Sequence, residues 1–432
     1  MKLPNTKALG AFVLAMVIPL PAFAETAQPP ANHSINLAWA LRQAEQYNPR
    51  LQAFPFYVRQ AEGQKSQADL SPNPNLEFSV ENVLGRDAYQ DGGSAETSLL
   101  LSQTIELGAK RTRRIAYADT AIAQRQAEYE IARLDVLAET GRRYYQVIYS
   151  QALSEWIERR AVQESRALKT VRQRARAGSV LQADVSKMVL RLAQSKALAA
   201  QLQDQQVVAK AELAAMWLAV GDFQLAEGSF SSLPGIPDRQ LLLDSLPQSP
   251  RWLASVVAEQ MSAAKLRLAQ ANGRSDLTLG LGLRRFEASR DQALVFNASM
   301  PLAWQNPRRG DIASAKAANE LSQQQHLWAM RDLQLTLQQS LLQLQSLKRH
   351  SQRLQQQLLP KAHKLLRDTE NGYQRGRVSV LQWADAQADL FQLQRQLIDS
   401  QSQLFSQLLE LESITGQALT GQPSSRERRS EK

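Results

Sequence analysis

The chain is written twice, and that duplication limits what it can fold into more than any other feature. At an offset of about 200 residues, Asn48-Pro49-Arg50 falls on Ser249-Pro250-Arg251, Asn75-Leu76 on Asp276-Leu277, Ile115-Ala116 on Ile312-Ala313, and Gly178 on Gly376. Self-similarity of this kind means one structural unit used twice, each copy packing beside the other. The Pro/Gly/Ser stretch from Gly228 to Pro237 lies between the copies and reads as their linker. The first copy is placed at residues 25–230 and the second at 231–418.

Each copy has one order of parts: a helix, two strands, a very long helix, a glycine and a return helix. Leu76, Phe78 and Val80 alternate with Asn75, Glu77, Ser79 and Glu81, and Leu99, Leu101 and Ile105 with Leu100, Ser102 and Thr104. In the second copy Leu277, Leu279, Leu281 and Leu283 alternate with Thr278, Gly280 and Gly282, and Leu294, Phe296, Ala298 and Met300 with Val295, Asn297 and Ser299. Period two predicts strands over about 74–84, 97–106, 275–285 and 293–302, each with one apolar face.

The helices follow period seven. Trp383, Leu390, Leu397, Leu404 and Leu411 form one seam, with Ala386, Leu393 and Ile414 beside it. Met330, Leu333, Leu337, Leu344, Leu347, Leu354 and Leu358 nearly repeat it, which is the spacing of coiled-coil packing. A helix from Thr112 to Arg176 is a rod of about 100 Å. Asn306-Pro307 suits the start of the second long helix, and Pro360 should kink it. Gly178 and Gly376 interrupt these patterns, although glycine costs about 1 kcal/mol against alanine inside a helix.

Lys2, Lys7, an apolar run from Ala8 to Leu20, and Ala22-Phe23-Ala24 read as a signal peptide over residues 1–24, cut after Ala24. No cysteine is present, so disulfides, thiolate metal sites and a lipidated N-terminus are excluded. His33, His326, His350 and His363 have no ligand spacing, and no cofactor or resident metal is expected. The formal charge of +10 suits solvated helix faces, without the aromatic interleaving of a nucleic-acid surface. Nucleophile elbows, phosphate loops and paired catalytic carboxylates are missing, so an enzyme is not expected. Gly280-Leu281-Gly282 is half a dinucleotide fingerprint inside a strand, where small residues at a crowded face are the simpler reading. The tail, residues 419–432, has the composition of a disordered segment.

An exported chain with short alternating strands and long helices must place its apolar strand face. A soluble hairpin packed on the helices and an outer membrane barrel suit the pattern equally well. Four strands cannot close a membrane barrel, because an open edge in lipid leaves backbone groups unpaired. Three chains would bring about twelve strands.

SPNPNLEFSVEN, LSQTIELGAKR, PLAWQNPRRGDIASAKA and GYQRGRVSVLQWADAQ, in duplicated order, resemble the outer membrane factor (TolC-like) family over about residues 35–418. PNPNLEFSVEN followed by ETSLLLSQTIELGAKR is most similar to its heavy-metal cation efflux (CzcC-like) branch. The resemblance implies a mainly α fold with a membrane β-barrel: a homotrimer with a twelve-stranded barrel over a periplasmic coiled-coil barrel. It implies a passive outer membrane channel of a tripartite, RND-type efflux system for heavy-metal cations. The implied partners are outer membrane lipid, a periplasmic adaptor (membrane fusion) protein and an inner-membrane pump. The alternatives are a channel for multidrug efflux or type I protein secretion and, from another class, a periplasmic coiled-coil scaffold with no pore.

On the resemblance, Gly178 and Gly376 turn the helices back at the tunnel's inner end, where a left-handed backbone suits glycine. Tyr373, Arg377 and Asp385 are then candidates for the aperture gate, with Arg377 one residue out of register. Arg176, Gly178, Val180, Gly376 and Val378 are candidates for adaptor contact. Asp385 and Asp389 share a helix face, and Asp389 is assigned to solvent. Lys187 stands where Asp385 stands in the other copy, so the two turns differ in charge.

Overall fold

The computed structural model describes residues 34–221, 223–230, 235–236, 238–302 and 308–417, without the Ala88 side chain. The expected signal peptide and its cut site, His33, the Asn306-Pro307 cap, the tail and part of the linker lie outside the described residues.

Helices α1 (Leu37–Tyr47), α2 (Pro49–Gln52) and α3 (Phe54–Ala68) lead into strands β1 (Asn75–Glu81) and β2 (Glu96–Ile105). The 67-residue α4 (Lys110–Arg176) descends and α5 (Gln182–Ala214) returns. The second copy follows with α6 (Arg239–Ser245), α7 (Pro250–Asn272), β3 (Leu277–Phe286), β4 (Gln292–Ser299), α8 (Arg309–Arg353), α9 (Leu359–Gln374) and α10 (Val380–Thr415). Local chemistry sets these ends. Asn48 and Ser249 cap α2 and α7 with their side chains, and each is followed by proline in the first turn, where its missing N–H costs nothing. Arg50 and Arg251, the next residue in each copy, both reach Asp135 of α4, at 3.7 and 2.9 Å.

The four strands form one antiparallel sheet in the order β1-β2-β3-β4, so the copies join through β2 and β3. β1 and β4 are edges with nothing beyond them among the described residues. Leu76, Phe78, Leu101, Leu281, Leu294 and Phe296 stand more than half exposed on one face. On the other face a Cβ on Gly282 would lie 2.4 Å from the Leu99 carbonyl oxygen, and one on Gly280 3.2 Å from Leu100 Cδ1. These glycines let Leu100 lie flat against β3.

Beneath the sheet, Lys110 Nζ bonds Asp276 Oδ2 at 2.7 Å, tying α4 to the start of β3. Burial would raise the Asp276 carboxyl, but Lys110 and the Leu107 amide outweigh it and hold the group below the ordinary carboxylate value. In the upper half α3, α4, α7 and α8 pack in that order; in the lower half it is α5, α4, α10 and α9. Pro360 does interrupt the descent of α8 into α9: a π turn at Leu354–Leu358 comes just before it, absorbing the bond that proline cannot donate.

Candidate functional site: the tip shared by two helical hairpins

Both turns solve the same problem in the same way. Gly178 and Gly376 each have φ of +73°. Ser179 N bonds Arg174 O and Gly178 N bonds Ala175 O, both at 3.0 Å, while Arg377 N bonds Gly372 O at 2.9 Å and Gly376 N bonds Tyr373 O at 3.0 Å. This paired closure satisfies the last helical carbonyls and requires a left-handed residue. Nothing lies within 4 Å of a Cβ built on either glycine, so backbone conformation alone demands it. Ser379 and Gln382 then start α10 with a reciprocal capping box, whereas α5 starts without a side-chain cap.

The hairpins share one apolar core, with Leu168, Val171, Val185 and Met188 from the first and Tyr373, Val380, Trp383 and Ala384 from the second. Tyr373 stacks on Trp383 with ring centroids 4.9 Å apart. Its hydroxyl is pushed above the ordinary phenol value by burial, against the pull of the Arg174 charge.

Two arginines of the first hairpin clasp the second. Arg174 lies 4.5 Å over the Tyr373 ring and donates to the Tyr373 and Gln374 carbonyls, both at 2.6 Å. A cation suits these carbonyls, which carry the negative end of the α9 dipole. Arg191 donates to the Ala384 carbonyl and, at 2.9 Å, to Asp385 Oδ1.

The expected site residues therefore separate. Arg176, Gly178, Gly376, Arg377 and Asp385 are exposed. Tyr373 is packed within the tip core and is only 3% exposed, so it presents no surface in this conformation. Val180 and Val378 are half-buried against the same core rather than standing out from it. Val378 lies so close to Gly372 that a Cβ there would be 2.5 Å from Val378 Cγ2. Asp389 is exposed, with no ion pair among the described residues. Sequence reasoning names Arg174, with Arg172 and Arg176, for adaptor contact, pairing with Asp385 or solvation, and does not name Arg191; in the structure it is Arg191 that pairs with Asp385, while Arg174 takes the two carbonyls. Arg174 carried half a signal, as a cation in the last turn before a glycine; Arg191 carried none. Among the described residues no three metal-ligating side chains converge, and no helix is long and apolar enough to cross a membrane.

A family model described as outer membrane efflux protein matches residues 40–217 and 241–417, one span in each copy. The cobalt-zinc-cadmium resistance protein CzcC of Cupriavidus metallidurans is 27% identical over 385 residues, 88% of this chain and 90% of that protein. The fold is similar to that of the Vibrio cholerae outer membrane protein VceC (TM-score 0.72, 20% identity, 89% of this chain and 96% of that one). It is also similar to CusC (0.74, 16%, 96% and 99%) and to the open-state Neisseria gonorrhoeae outer membrane channel MtrE (0.70, 16%, 89% and 89%).

Proposed function

Because the chain belongs to the outer membrane efflux protein family, we propose that three copies enclose a passive conduit, the outer membrane component of an RND-type exporter of heavy-metal cations. The observation that carries this reading is the unclosed sheet, with two open edges and an exposed apolar face. Lipid satisfies that face only if further strands satisfy the edges. Three four-stranded sheets make a barrel of twelve.

The helices favour the same closure. The upper-half packing order leaves α3 and α8 at the edges, continuous in sequence with the edge strands β1 and β4. Along α8, Leu321, Trp328, Leu335 and Leu342 are spaced by sevens and each is 54–57% exposed. Phe56 and Tyr57 are exposed on α3. A heptad stripe facing solvent lacks its partner helix, and the next copy's α3 edge supplies one. The likeness to a cobalt-zinc-cadmium resistance protein over nearly its whole length supports metal cations as cargo. A periplasmic adaptor would dock at the tips, where Arg176, Gly178 and Gly376 of the adaptor candidates are exposed, and the pump would supply the energy. Of the aperture candidates, Arg377 and Asp385 lie in the open, and Asp385 is held by Arg191.

Purification from outer membranes tests the reading. A heat-modifiable trimer with unit conductance in planar bilayers, and metal sensitivity on deletion, are expected. A soluble periplasmic monomer would establish the scaffold alternative, and drug sensitivity without metal sensitivity would reassign the cargo.

A further inference from the structure

We propose that a belt of arginines at the base of the sheet holds anionic phospholipid of the inner leaflet of the outer membrane, so that this end of the barrel selects its lipid by headgroup charge. The inference rests on the barrel of the conduit reading above and adds which lipid that barrel prefers.

The exposed apolar face fixes where the headgroups lie. Strands β2 and β3 have 10 residues each, about 34 Å of extended chain. A tilt of about 45° turns that length into a band about 24 Å tall, the height of a membrane barrel's apolar zone. Alternation carries the face past the last paired residues: Leu107 follows Ile105, and Met300 and Leu302 follow Phe296 and Ala298, with all three leading residues exposed. The next charged groups along the chain therefore stand at the headgroup boundary.

Those groups are mostly cations. Over residues 69, 106–114, 274–276 and 308–311, seven lysines and arginines stand against four carboxylates, a surplus of three cations in each copy. The far rim has the opposite sign, with four cations against six carboxylates over residues 81–96 and 284–291. At the base each carboxylate takes one cation: Asp276 takes Lys110 at 2.7 Å, Asp69 takes Arg111 at 2.8 Å, Asp311 takes Arg308 at 3.5 Å, and Glu106 takes Arg114. Arg113, Arg274 and Arg309 are left over, exposed and without an ion pair among the described residues. Arg274 lays its stem across the turn beside Leu107, since a Cβ on Gly108 would lie 2.6 Å from Arg274 Cδ. An apolar stem along the barrel's edge leaves its guanidinium free to reach a phosphate.

Local helix chemistry does not account for the surplus. Arg113 and Arg309 stand in the first turns of α4 and α8, where the helix dipole disfavours a cation by about 0.3–1 kcal/mol. An anionic surface at the same height offsets that cost, at about 1 kcal/mol for each arginine near it.

Spin-labelled lipids test the belt on the full-length trimer reconstituted in phosphatidylcholine bilayers. The parent should hold phosphatidylglycerol about fivefold over phosphatidylcholine at low salt, the ratio that about 1 kcal/mol sets. That preference should fade as salt shortens the Debye length toward ~3 Å. Arg113→Gln combined with Arg274→Gln and Arg309→Gln should hold the two lipids equally, while lysine at the same three positions keeps the preference. Arg86→Gln with Arg290→Gln, at the far rim, should keep it too. A parent without preference, a glutamine variant that retains it, or its loss in the far-rim variant overturns the belt and leaves the conduit intact. Inorganic phosphate at constant ionic strength should not change the ratio; abolition by phosphate would assign the arginines to a free anion and overturn the lipid. Absence of motionally restricted lipid of either kind in the parent overturns the barrel itself, and the belt with it.

Discussion

The exposed heptad stripe on α8 offers the most direct perturbation. Leu321, Leu335 and Leu342 leave about half of each side chain uncovered in one protomer. Full burial of a leucine contributes about 1.5–3 kcal/mol, so covering the remaining half contributes roughly 1 kcal/mol at each site. Three leucines at each of three interfaces then stabilise the trimer by about 9 kcal/mol. Truncating all three to alanine should lower the temperature at which the trimer dissociates in detergent by tens of degrees while leaving protomer helicity unchanged. Leu337, on the opposite seam and 0% exposed, is the control. Leu337→Ala should cost about 2–5 kcal/mol of protomer stability through the cavity it leaves. Gel mobility of unboiled samples and far-ultraviolet circular dichroism separate the two outcomes. A triple variant whose trimer dissociates at the parent's temperature would show that the stripe is not an interface between copies, and the edge-to-edge closure of the helices would fall with it.

Four further outcomes are expected. Gly178→Leu and Gly376→Leu force a branched side chain to φ of +73°, a strain of about 1–2 kcal/mol; trimers should persist while metal resistance is lost, and loss of the trimer itself would contradict this. Asp385→Ala should raise closed-channel conductance and weaken block by divalent cations at low salt, where the Debye length is ~10 Å; Arg191→Ala should raise the same conductance, and Asp389→Ala should change little. Asp276 has a folded-state value held below the ordinary 3.8, so its contribution is present above about pH 4 and is lost as pH falls through the folded value; melting between pH 5 and pH 2 should show this slope in the parent and lack it in Asp276→Asn. N-terminal sequencing of outer membrane material should read from Glu25, and a start many residues away would refute the cleavage site.

Much of the fold was legible because it follows from local rules. Alternation placed all four strands, and the turn glycines announced their left-handed φ. Strand ends were less legible. β1 stops at Glu81 because Asn82 adopts φ of +59°, so the strand does not run to residue 84. Asparagine tolerates that region but does not require it. At the tip, Tyr373 and the two valines were marked as surface because their spacing from the glycine was all that could be read.

What the sequence by itself determined is therefore short-range: period two in the strands, period seven in the helices, caps, turns and the duplication that repeats them. Tertiary structure alone decided that β2 pairs with β3 across the copies, that Arg174 reaches carbonyls 199 and 200 residues away, and that Arg191 holds a carboxylate 194 residues away. The physical reason is separation along the chain. Hydrogen-bond and packing preferences within a turn of helix are written in neighbouring residues, but an arginine carries no local mark of which distant acceptor it will meet. Only the shared core of the two hairpins brings Arg174 and Arg191 to their partners, and that core exists only once both copies have folded against each other.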